Sequence, residues 1–385
     1  MKNIVPVSIF ACKKLVWSAK IFKFFIVKSY TMKKIIILGS GKIGSTAAFM
    51  LQESSKFQVT IVDNQRQDHH TEFEKAGIVV LIENISDAST IDAVLANGYE
   101  YVLNACPYHL NIGIIDAVAK KEMHYFDLSE DVKSANYIKE IAKKSKSTFI
   151  PQCGLAPGFV SISANHLCNY FDELKDVKLR VGALTLSPNN MLKYNLSWST
   201  DGLLNEYSHP CDAIVNGTFT KVLPLEGLEY FCLEGIEYEA FNTSGGIGGL
   251  AEKLNGKVEN LDYKTIRYKG HRDLMKFLFD DLGFKNDRPL LTKIFNNNIA
   301  TTSEDVIIIY ISVTGLINGK LEQKTVSHTI PNQMVGNKHF TGIQLTTAGS
   351  VCAVIDIHSQ GKIAQSGYVM QEDIPCFYAV SYLYT

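Results

Sequence analysis

The sequence lacks the residue patterns that build metal sites and disulfide frameworks. Its eight cysteines, at positions 12, 106, 153, 168, 211, 232, 352 and 376, include no Cys-x-x-Cys pair, and its ten histidines form no His-Glu-x-x-His array. These absences argue against the common zinc motifs and against a disulfide-stapled secreted domain. We therefore expect no bound metal and a reduced, cytoplasmic protein.

An excess of charge of either sign is also lacking. Lysine plus arginine number 38 against 39 for aspartate plus glutamate, so the formal net charge is −1. This balance gives no electrostatic reason to expect nucleic acid or an acidic lipid surface as a partner. We expect a small-molecule substrate instead, and the 385 residues, 46% of them hydrophobic, suffice for two domains with real cores.

Long apolar runs are missing as well, even in the unusual first 31 residues. This leader has six lysines, no acidic residue and short apolar stretches that lysines interrupt. A secretory signal or a membrane span needs a longer unbroken run, so neither is predicted. Two interpretations stay open: a basic amphipathic helix that lies on a membrane, or an upstream start codon with the native protein beginning at Met32.

What the sequence does contain is a complete dinucleotide-binding pattern near its start. An apolar strand at 33–38 runs into Gly-Ser-Gly-Lys-Ile-Gly at 39–44, a helix follows, and a second strand at 58–63 ends in Asp63. Gly39 makes the tight turn, Gly41 lets the backbone approach the pyrophosphate, and Gly44 lets the helix pack closely. The phosphates would meet the helix start at Lys42 and Ile43.

The end of the second strand indicates which nucleotide is bound. Asp63 would accept hydrogen bonds from the adenosine ribose, and its charge would repel a 2′-phosphate. Asn64 follows directly and completes the predicted ribose side of the site. The pattern therefore predicts NAD, with NADP possible because Arg66 would pair with a 2′-phosphate if it swung inward.

The remaining pattern predicts two domains and a returning C-terminal segment. Apolar strands alternate with helical patterns, which is typical of a doubly wound parallel sheet. The predicted strands are 33–38, 58–63, 78–82, 99–105, 124–128 and 147–152, and the predicted helices are 43–54, 87–96, 111–121, 134–144 and 159–170. Longer strands joined by tight turns follow from about 175, with hairpin turns predicted at Asn216-Gly217 and Asn318-Gly319. We predict an α/β Rossmann domain, an α+β second domain with a mixed or antiparallel sheet, and a terminal helix capped by Thr346 or Thr347 that packs back on the first domain. The predicted boundaries are 1–31 for the leader, 32–154, 155–340 and 341–385.

Three strand ends carry the residues that should face the nicotinamide. In an open parallel sheet the ligand crevice lies outside the carboxyl ends of the strands. The first end, Ala105-Cys106-Pro107, would cross the middle of the dinucleotide, and Tyr108 and His109 follow it into the pocket. The other two ends begin at Asp127 and at Cys153-Gly154.

At this point the sequence resembles the saccharopine dehydrogenase family, most closely its L-lysine 6-dehydrogenase-like branch. The resemblance runs from about residue 33 to the end and rests on five stretches: 125–129 (YFDLS), 153–158 (CGLAPG), 194–199 (YNLSWS), 265–271 (TIRYKGH) and 346–349 (TTAG). It implies NAD(P)-linked chemistry at a carbon that bears nitrogen in an amino acid. The sequence departs from the family at Lys269 and in the Ser-Gly-Gly-Ile-Gly-Gly run at 244–249, which we expect to be a flexible insert near the pocket.

The chemistry suggests a role for individual side chains. Hydride leaves a C–N carbon only when the nitrogen has a free electron pair, so a base must first take a proton. Asp127 would stabilise the developing iminium, Cys153 would face the reacting carbon, and His271 would shuttle a proton or hold the substrate. Arg267 would bind an α-carboxylate. The predicted substrate contacts are Tyr108, His109, Tyr194, Asn195, Trp198 and Arg267.

The sequence thus predicts an NAD(P)-dependent oxidoreductase that acts on lysine or a lysine-derived amine and gives 2-aminoadipate 6-semialdehyde. Saccharopine formation or cleavage and a carboxynorspermidine synthase-like reaction stay open as alternatives, because the family covers related amines. A non-catalytic nucleotide-binding sensor is the alternative of another class. A homodimer is expected by fold analogy alone.

Overall fold

The computed structural model describes residues 32–376. The leader predicted for 1–31 and the final part of the C-terminal segment predicted for 341–385 lie outside them. Within the described part, no helix is long and apolar enough to cross a membrane.

The first layer is a parallel sheet of seven strands. In chain order its first six strands are β1 Lys33–Leu38, β2 Phe57–Asp63, β3 Val79–Ile82, β4 Tyr101–Asn104, β5 His124–Asp127 and β6 Thr148–Ile150. They confirm all six strands predicted in this region, with shifts of one or two residues at the ends. Continuous apolar sequences form them because both faces of a parallel sheet are covered.

Helices cover both faces of this sheet. They are α1 Lys42–Glu53, α2 His70–Lys75, α3 Ala88–Val94, α4 Asn111–Lys120, α5 Val132–Ala142 and α6 Phe159–Cys168. Five of these were predicted. The short helix α2 was missed, because one and a half turns are too few to establish a helical period.

The strand order places the predicted ligand loops on one edge. The order β6-β5-β4-β1-β2-β3 puts β1 beside β4, at the point where successive connections reverse direction. The turn after β1 and the loops after β4, β5 and β6 therefore share the carboxyl edge, where open α/β sheets bind their ligands.

The second layer is a mixed sheet. Its strands are β7 Glu173–Thr185, β8 Cys211–Val215, β9 Thr218–Val222, β10 Glu229–Leu233, β11 Ile236–Asn242, β12 Val258–Tyr268, β13 Asp305–Ile317 and β14 Lys320–Pro331; a separate hairpin joins β15 Gln333–Val335 to β16 Lys338–Phe340. The main order is β10-β11-β12-β7-β13-β14, and only β12 and β7 pair in parallel. The helices here are α7 Thr200–Glu206, α8 Leu250–Leu254, α9 His271–Lys276 and α10 Arg288–Asn298.

Two predicted hairpin turns are confirmed. Asn216-Gly217 joins β8 to β9 with φ angles of 50° and 77°, and Asn318-Gly319 joins β13 to β14 with φ angles of 51° and 75°. Consecutive positive φ values suit the twist of adjoining strands, and asparagine and glycine tolerate them best.

The terminal helix returns to the first sheet as predicted, but it begins earlier. This helix, α11 Gly342–Ser359, packs against α1, and its residues Ala348, Val351 and Cys352 lie in the core of the parallel sheet. The predicted cap at Thr346 or Thr347 is wrong, because Thr341 and Gln344 form a reciprocal capping box one turn upstream. The last strand, β17 Gly367–Tyr368, then adds to β6 in parallel.

Candidate active site

The turn after β1 contains three glycines, of which two are closely packed and one faces open space. A Cβ on Gly44 would lie 2.0 Å from the Gly39 carbonyl oxygen, and one on Gly39 would lie 2.9 Å from that of Ala105. A Cβ on Gly41 would meet no atom within 4 Å. Packing therefore requires the outer glycines, whereas Gly41 leaves room above the amino end of α1. There, Lys42 and Ile43 stand in the first turn, whose N–H groups have no partner within the helix. These residues fit a dinucleotide diphosphate.

Asp63, at the end of β2, is tied to the same turn. Its Oδ2 accepts hydrogen bonds from Ser40 N (2.9 Å) and Ser40 Oγ (2.5 Å). Burial raises the pKa of Asp63, but the two hydrogen bonds from Ser40 and the backbone hydrogen bonds from Asn64 and Gln65 together outweigh burial. They hold the pKa of Asp63 below its ordinary value. The next residue, Asn64, is exposed. An ionised carboxylate thus stands where ribose hydroxyl groups are predicted.

A cavity of about 450 Å³ opens beside this turn. Its wall is formed by α1, the segment that follows β2, and β16, and it includes Lys42, Asp63, His69, Glu72 and Lys338. Arg66, which the NADP alternative requires, lies nearby and makes two hydrogen bonds of 2.8 and 2.6 Å to Glu74. Both carboxylate oxygens of Glu74 thus engage the guanidinium that a 2′-phosphate would need.

The loop after β4 reaches the glycine turn, but its tip points into solvent. Ala105 N donates to Leu38 O at the end of β1 (2.8 Å), which brings Cys106 and Pro107 beside the turn. Burial raises the pKa of the Cys106 thiol to about 12. Tyr108 is 66% exposed and forms an edge-to-face pair with the exposed His109.

Asp127 and Cys153 are both buried and hydrogen-bonded within the protein. Asp127 accepts hydrogen bonds from Gln152 N (2.8 Å), Ser129 N (3.1 Å) and the Tyr125 hydroxyl (2.9 Å). Burial raises the pKa of Asp127 to about 6 against the effect of these bonds. The Cys153 thiol donates to Ile150 O, and burial raises its pKa well above the usual range. The bond from Gln152 N to the Asp127 carboxylate joins the ends of β5 and β6, whereas the Cys153 thiol bonds within its own segment.

A second group of predicted residues meets around Arg267, which is only 2% exposed. Its Nε donates to the Tyr207 hydroxyl (3.0 Å), which lies 3.1 Å from His271 Nε2, and His271 Nδ1 lies 2.8 Å from Leu192 O. The guanidinium also faces the Tyr194 ring at 5.3 Å. Burial, reinforced by Arg267, lowers the pKa of His271 to about 3, so the imidazole is neutral. Tyr194, Arg267 and His271 are thus brought together.

Two acidic residues that the sequence reasoning missed complete this group. Glu206, the last residue of α7, is 7% exposed, and its Oε2 lies 4.0 Å from Arg267 Nη2. The Glu130 carboxylate, in the loop after β5, packs against Gly245, where a Cβ would lie 2.9 Å from its Oε2. Burial raises the pKa of both carboxyl groups; Glu206 adds to the shift at Glu130, and Arg267 opposes the shift at Glu206.

We call this group the acid–arginine cluster. It consists of Glu130, Tyr194, Glu206, Tyr207, Tyr263, Arg267 and His271. The sequence held one usable signal for Glu206: a single charge beside Leu203, Leu204 and Tyr207, all of which are buried. A lone acid among buried apolar residues of a helix is rarely tolerated without a functional or pairing partner.

The segment beside the cluster keeps unused hydrogen-bonding capacity. Among residues 32–376, the buried polar atoms Tyr194 Oη, Asn195 Oδ1, Ser197 Oγ and Trp198 Nε1 have no hydrogen-bond partner. Most buried polar groups in folded proteins are paired, so four orphans within five residues mark a place where a ligand can bond. Lys42 reaches the same segment from the glycine turn and donates to Ser197 O at 3.1 Å.

The glycine-rich run at 244–249 forms the support of this cluster. The expectation of a flexible insert is wrong, because the run is packed: Gly246 lies against the Tyr263 ring, and Ser161 Oγ donates to Ile247 O at 2.9 Å. Ser244 N donates to Glu206 O at 3.0 Å. Small residues are required because larger side chains would strike their neighbours.

Comparison with known proteins gives a consistent result along nearly the whole described chain. The family model described as the saccharopine dehydrogenase NADP binding domain matches residues 35–150. The model described as the saccharopine dehydrogenase C-terminal domain matches residues 154–380.

Curated relatives match only in part. Saccharopine dehydrogenase [NADP(+), L-glutamate-forming] from Pyricularia oryzae is 22% identical over 268 residues, which are 66% of this chain and 58% of that protein. The mitochondrial alpha-aminoadipic semialdehyde synthase of Rattus norvegicus is 22% identical over 263 residues, which are 63% of this chain and 27% of that protein. The chain thus spans little more than half of the first relative and about a quarter of the second.

Solved structures share the fold. Apo saccharopine dehydrogenase (L-Glu forming) from Saccharomyces cerevisiae has a TM-score of 0.73 at 16% identity, over 91% of this chain and 96% of that one. A homospermidine synthase from Legionella pneumophila, solved in complex with NAD, has a TM-score of 0.62 at 12% identity, over 91% and 89% of the two chains. Identities this low establish the architecture alone.

Proposed function

Because the chain belongs to the saccharopine dehydrogenase family, we propose that it is an NAD(P)-dependent oxidoreductase that acts on a C–N bond of lysine or a lysine-derived amine. The proposed product is 2-aminoadipate 6-semialdehyde, as in an L-lysine 6-dehydrogenase. The activity of the longer relatives is not carried over as such.

The acid–arginine cluster is the observation that carries this proposal. Arg267 offers a planar fork for an α-carboxylate, and Glu130 and Glu206 offer carboxyl oxygens to an ammonium group, which would favour their ionised form. Lysine presents both kinds of group. Saccharopine formation would also seat the second carboxylate of glutamate, but Arg267 is the one cation among the residues that define the cluster. Its charge pattern therefore favours lysine over glutamate as the bound partner.

The residues of the nucleotide site have corresponding proposed roles. The Gly39–Gly44 turn and the loop at Ala105–Pro107 would hold the dinucleotide, and Asp63 would hold its ribose. When bound, the nicotinamide supplies the hydride acceptor or donor. Asp127 was predicted to stabilise the iminium; because its oxygens are already bonded, we propose that it acts by fixing the loops after β5 and β6.

The choice of cofactor and the cellular setting are part of the proposal. NAD is favoured because Asp63 is ionised and Arg66 is engaged by Glu74. The seven cysteines of the described residues are all free, in keeping with a reducing, cytoplasmic compartment. A homodimer remains our proposal by fold analogy.

A substrate screen tests the function. Purified full-length protein would be incubated with L-lysine, saccharopine or diamines and with each oxidised nicotinamide nucleotide, and formation of the reduced nucleotide would be followed. We expect turnover with L-lysine, faster at alkaline pH, because more of the amine is unprotonated there. No turnover with lysine at high pH would exclude the lysine 6-dehydrogenase assignment.

Two alternatives have distinct outcomes in the same screen. Turnover with saccharopine alone would assign the reaction named for the Pyricularia oryzae relative. Oxidation of reduced nucleotide in the presence of a diamine and an amino-acid aldehyde, without turnover of lysine, would assign a carboxynorspermidine synthase-like reaction. Tight nucleotide binding without any turnover would identify the non-catalytic sensor.

A further inference from the structure

The predicted ribose-binding residue Asp63 is connected to a buried histidine that takes no part in the proposed oxidation. His70, the first residue of α2, is fully buried, and both of its ring nitrogens have partners. The backbone N–H of Gln67 donates to His70 Nδ1 at 3.1 Å, and His70 Nε2 lies 2.8 Å from Ser40 Oγ. The short helix α2 therefore reaches the glycine turn through a side chain.

The partners of His70 fix the direction of each hydrogen bond in this connection. Because Nδ1 accepts a hydrogen bond from a backbone N–H, it carries no proton, so the proton of the neutral ring is on Nε2. The Nε2–H group must then donate to Ser40 Oγ, which leaves the hydroxyl hydrogen of Ser40 for Asp63 Oδ2 at 2.5 Å. We call this series, from Gln67 N through His70 and Ser40 to Asp63, the His70 hydrogen-bond network.

The network leaves the two carboxylate oxygens of Asp63 in different conditions. Oδ2 accepts hydrogen bonds from Ser40 N at 2.9 Å and from Ser40 Oγ at 2.5 Å, whereas the bond that Oδ1 accepts, from Gln65 N, is long at 3.4 Å. A carboxylate oxygen can accept two hydrogen bonds. Oδ1 therefore keeps capacity for a ribose hydroxyl group, while Ser40 fixes the orientation of the carboxylate.

A second histidine supports Ser40 from the same region. His69 Nε2 lies 3.3 Å from Ser45 Oγ, and Ser45 Oγ donates to Ser40 O at 2.6 Å. The His69 and His70 rings also make an edge-to-face contact, with their centroids 4.7 Å apart. Two neighbouring imidazoles are thus bonded, directly or through Ser45, to the same residue of the nucleotide-binding turn.

We propose that His70 is a positioning residue for the adenosine ribose of NAD, an inference that rests on the cofactor choice in the proposed function. Its Nε2–H group orients the Ser40 hydroxyl, and this hydroxyl holds Asp63 Oδ2 so that Oδ1 faces the ribose. A carboxylate that is already fixed loses less conformational freedom on binding, so the network should raise the affinity for NAD. It should leave the hydride-transfer step unchanged, because the adenosine ribose does not react.

The protonation state of His70 decides whether the network can form. A second proton would lie on Nδ1 and face the N–H of Gln67, so the charged ring would break the first bond. Burial is the main cause that lowers the pKa of His70 below its ordinary value. The titratable or charged groups that face His70 are His69, Asp63, Arg66 and Glu74. The ring is therefore neutral, and the network complete, at neutral pH.

Two substitutions of His70 separate the network from simple packing. His70→Gln places an amide N–H near the position of Nε2 and keeps a donor for Ser40, whereas His70→Asn places an oxygen near Nδ1 and loses that donor. We expect the dissociation constant for NAD, measured by calorimetry on the full-length protein, to rise about fivefold in His70→Asn and at most about twofold in His70→Gln. The matched control is His209→Asn, an exposed histidine between α7 and β8, which should bind NAD like wild type.

A double-mutant cycle tests whether His70 acts through Ser40. Ser40→Ala removes the hydroxyl, so it should weaken NAD binding about as much as His70→Asn, and the double variant should bind no more weakly than Ser40→Ala alone. The kcat for amine oxidation should stay at the wild-type value in each variant, while KM for NAD follows the dissociation constant. Additive losses in the double variant would overturn the proposal, as would equal losses in His70→Gln and His70→Asn.

Nuclear magnetic resonance gives a readout that needs neither substrate nor nucleotide. In protein labelled with ¹⁵N-histidine, the signals of His70 are those that are absent from His70→Asn. The network predicts a neutral ring with its proton on Nε2 at neutral pH, and a proton on Nδ1 or a charged ring would overturn the proposal. If the ring has the predicted form but the wild-type protein binds neither NAD nor NADP, the proposed function fails instead.

Discussion

Each face of the mixed sheet carries a buried arginine, but only one of the two arginines has carboxylate partners at hydrogen-bond distance. On the outer face Arg180, 3% exposed, bonds to both oxygens of Asp262 (2.8 and 3.1 Å) and to Glu229, which Lys264 also binds. On the other face Arg267, 2% exposed, has one tyrosine, one carbonyl and a loose carboxyl group. Because successive side chains along β12 point to opposite faces of the sheet, Lys264 lies on the same face as Arg180, and Arg267 lies on the other face.

This difference indicates which buried charge serves stability and which serves a ligand. On the outer face the two cations Arg180 and Lys264 are balanced by two anions, Asp262 and Glu229. On the other face the acid–arginine cluster leaves donors and acceptors unused at the carboxyl edge of the parallel sheet, where a substrate is expected. Burial alone therefore does not mark an active site; incomplete pairing does.

The largest expected effect separates the two arginines. Arg267→Met removes the fork for the substrate carboxylate, and we expect kcat/KM for lysine to fall about 1,000-fold, or about 4 kcal/mol. Arg180→Met should instead lower the free energy of unfolding by about 3 kcal/mol, because its carboxylate partners stay without their main cation. Steady-state kinetics and urea unfolding of both variants measure this contrast.

The opposite pattern would break the comparison. If Arg180→Met abolished turnover while it remained folded, or if Arg267→Met only destabilised the protein, the assignment of ligand and structural faces would be wrong.

Asp127 provides the next test, because it is a saturated carboxyl group close to the predicted nicotinamide. Asp127→Ala leaves three donors unpaired, so we expect the free energy of unfolding to fall by about 3 kcal/mol. In Asp127→Asn the amide oxygen keeps the two backbone donors, so kcat should stay within about tenfold of wild type. A folded Asp127→Asn whose kcat falls about 100-fold or more would instead give Asp127 the catalytic role that the sequence suggested.

Much of the fold and part of the candidate site could be predicted from the sequence, mainly where a feature depends on residues that are close together in the chain. The glycine turn and its flanking strands could be located because Gly39 and Gly44 are required by backbone packing within a single β-α unit. Arg267 could be selected as a candidate because it stands in a stretch that resembles the family. The helix start at Thr341 was missed although the sequence Thr341-Gly-Ile-Gln344 carries the capping-box spacing.

The two acidic residues of the acid–arginine cluster could not be predicted in the same way. Glu130 and Glu206 are far apart in sequence and belong to different layers, and both contact the packed run at 244–249, Glu130 through its carboxyl group and Glu206 through its backbone carbonyl. That run was interpreted as flexible because glycine-rich sequences usually are, whereas here the missing side chains permit close packing against the Tyr263 ring. Tertiary packing, which a local sequence pattern does not encode, determines both the position of these two acidic residues and the ordered packing of the run at 244–249.

A smaller effect concerns Glu372, a buried carboxyl group outside both arginine groups. Burial raises its pKa to about 7, above its ordinary value near ~4.3 in an unfolded chain. The folded protein therefore binds more protons between these two values, and wild-type stability falls as the pH rises through that window. Glu372→Gln lacks this penalty and should be more stable than wild type by about 2 kcal/mol at pH ~8, with little difference at pH ~4. Urea unfolding at both pH values checks the sign; equal curves for the two proteins would refute it.

The smallest expected effect concerns the exposed pair of Arg66 and Glu74. Glu74→Gln releases Arg66 toward the ribose side of the nucleotide site, so we expect the affinity for NADP relative to NAD to rise about threefold. Equilibrium titration with both nucleotides measures the ratio. An unchanged ratio would show that Arg66 does not contribute to cofactor choice.

Isotope transfer tests the central claim most directly. The protein would be incubated with NAD and with lysine that carries deuterium on the ε-carbon, and the recovered nucleotide would be analysed by mass spectrometry. The account predicts that the reduced nicotinamide gains one deuterium from this substrate and none from lysine deuterated on the α-carbon. Transfer from the α-carbon, or reduction without any deuterium, would contradict it.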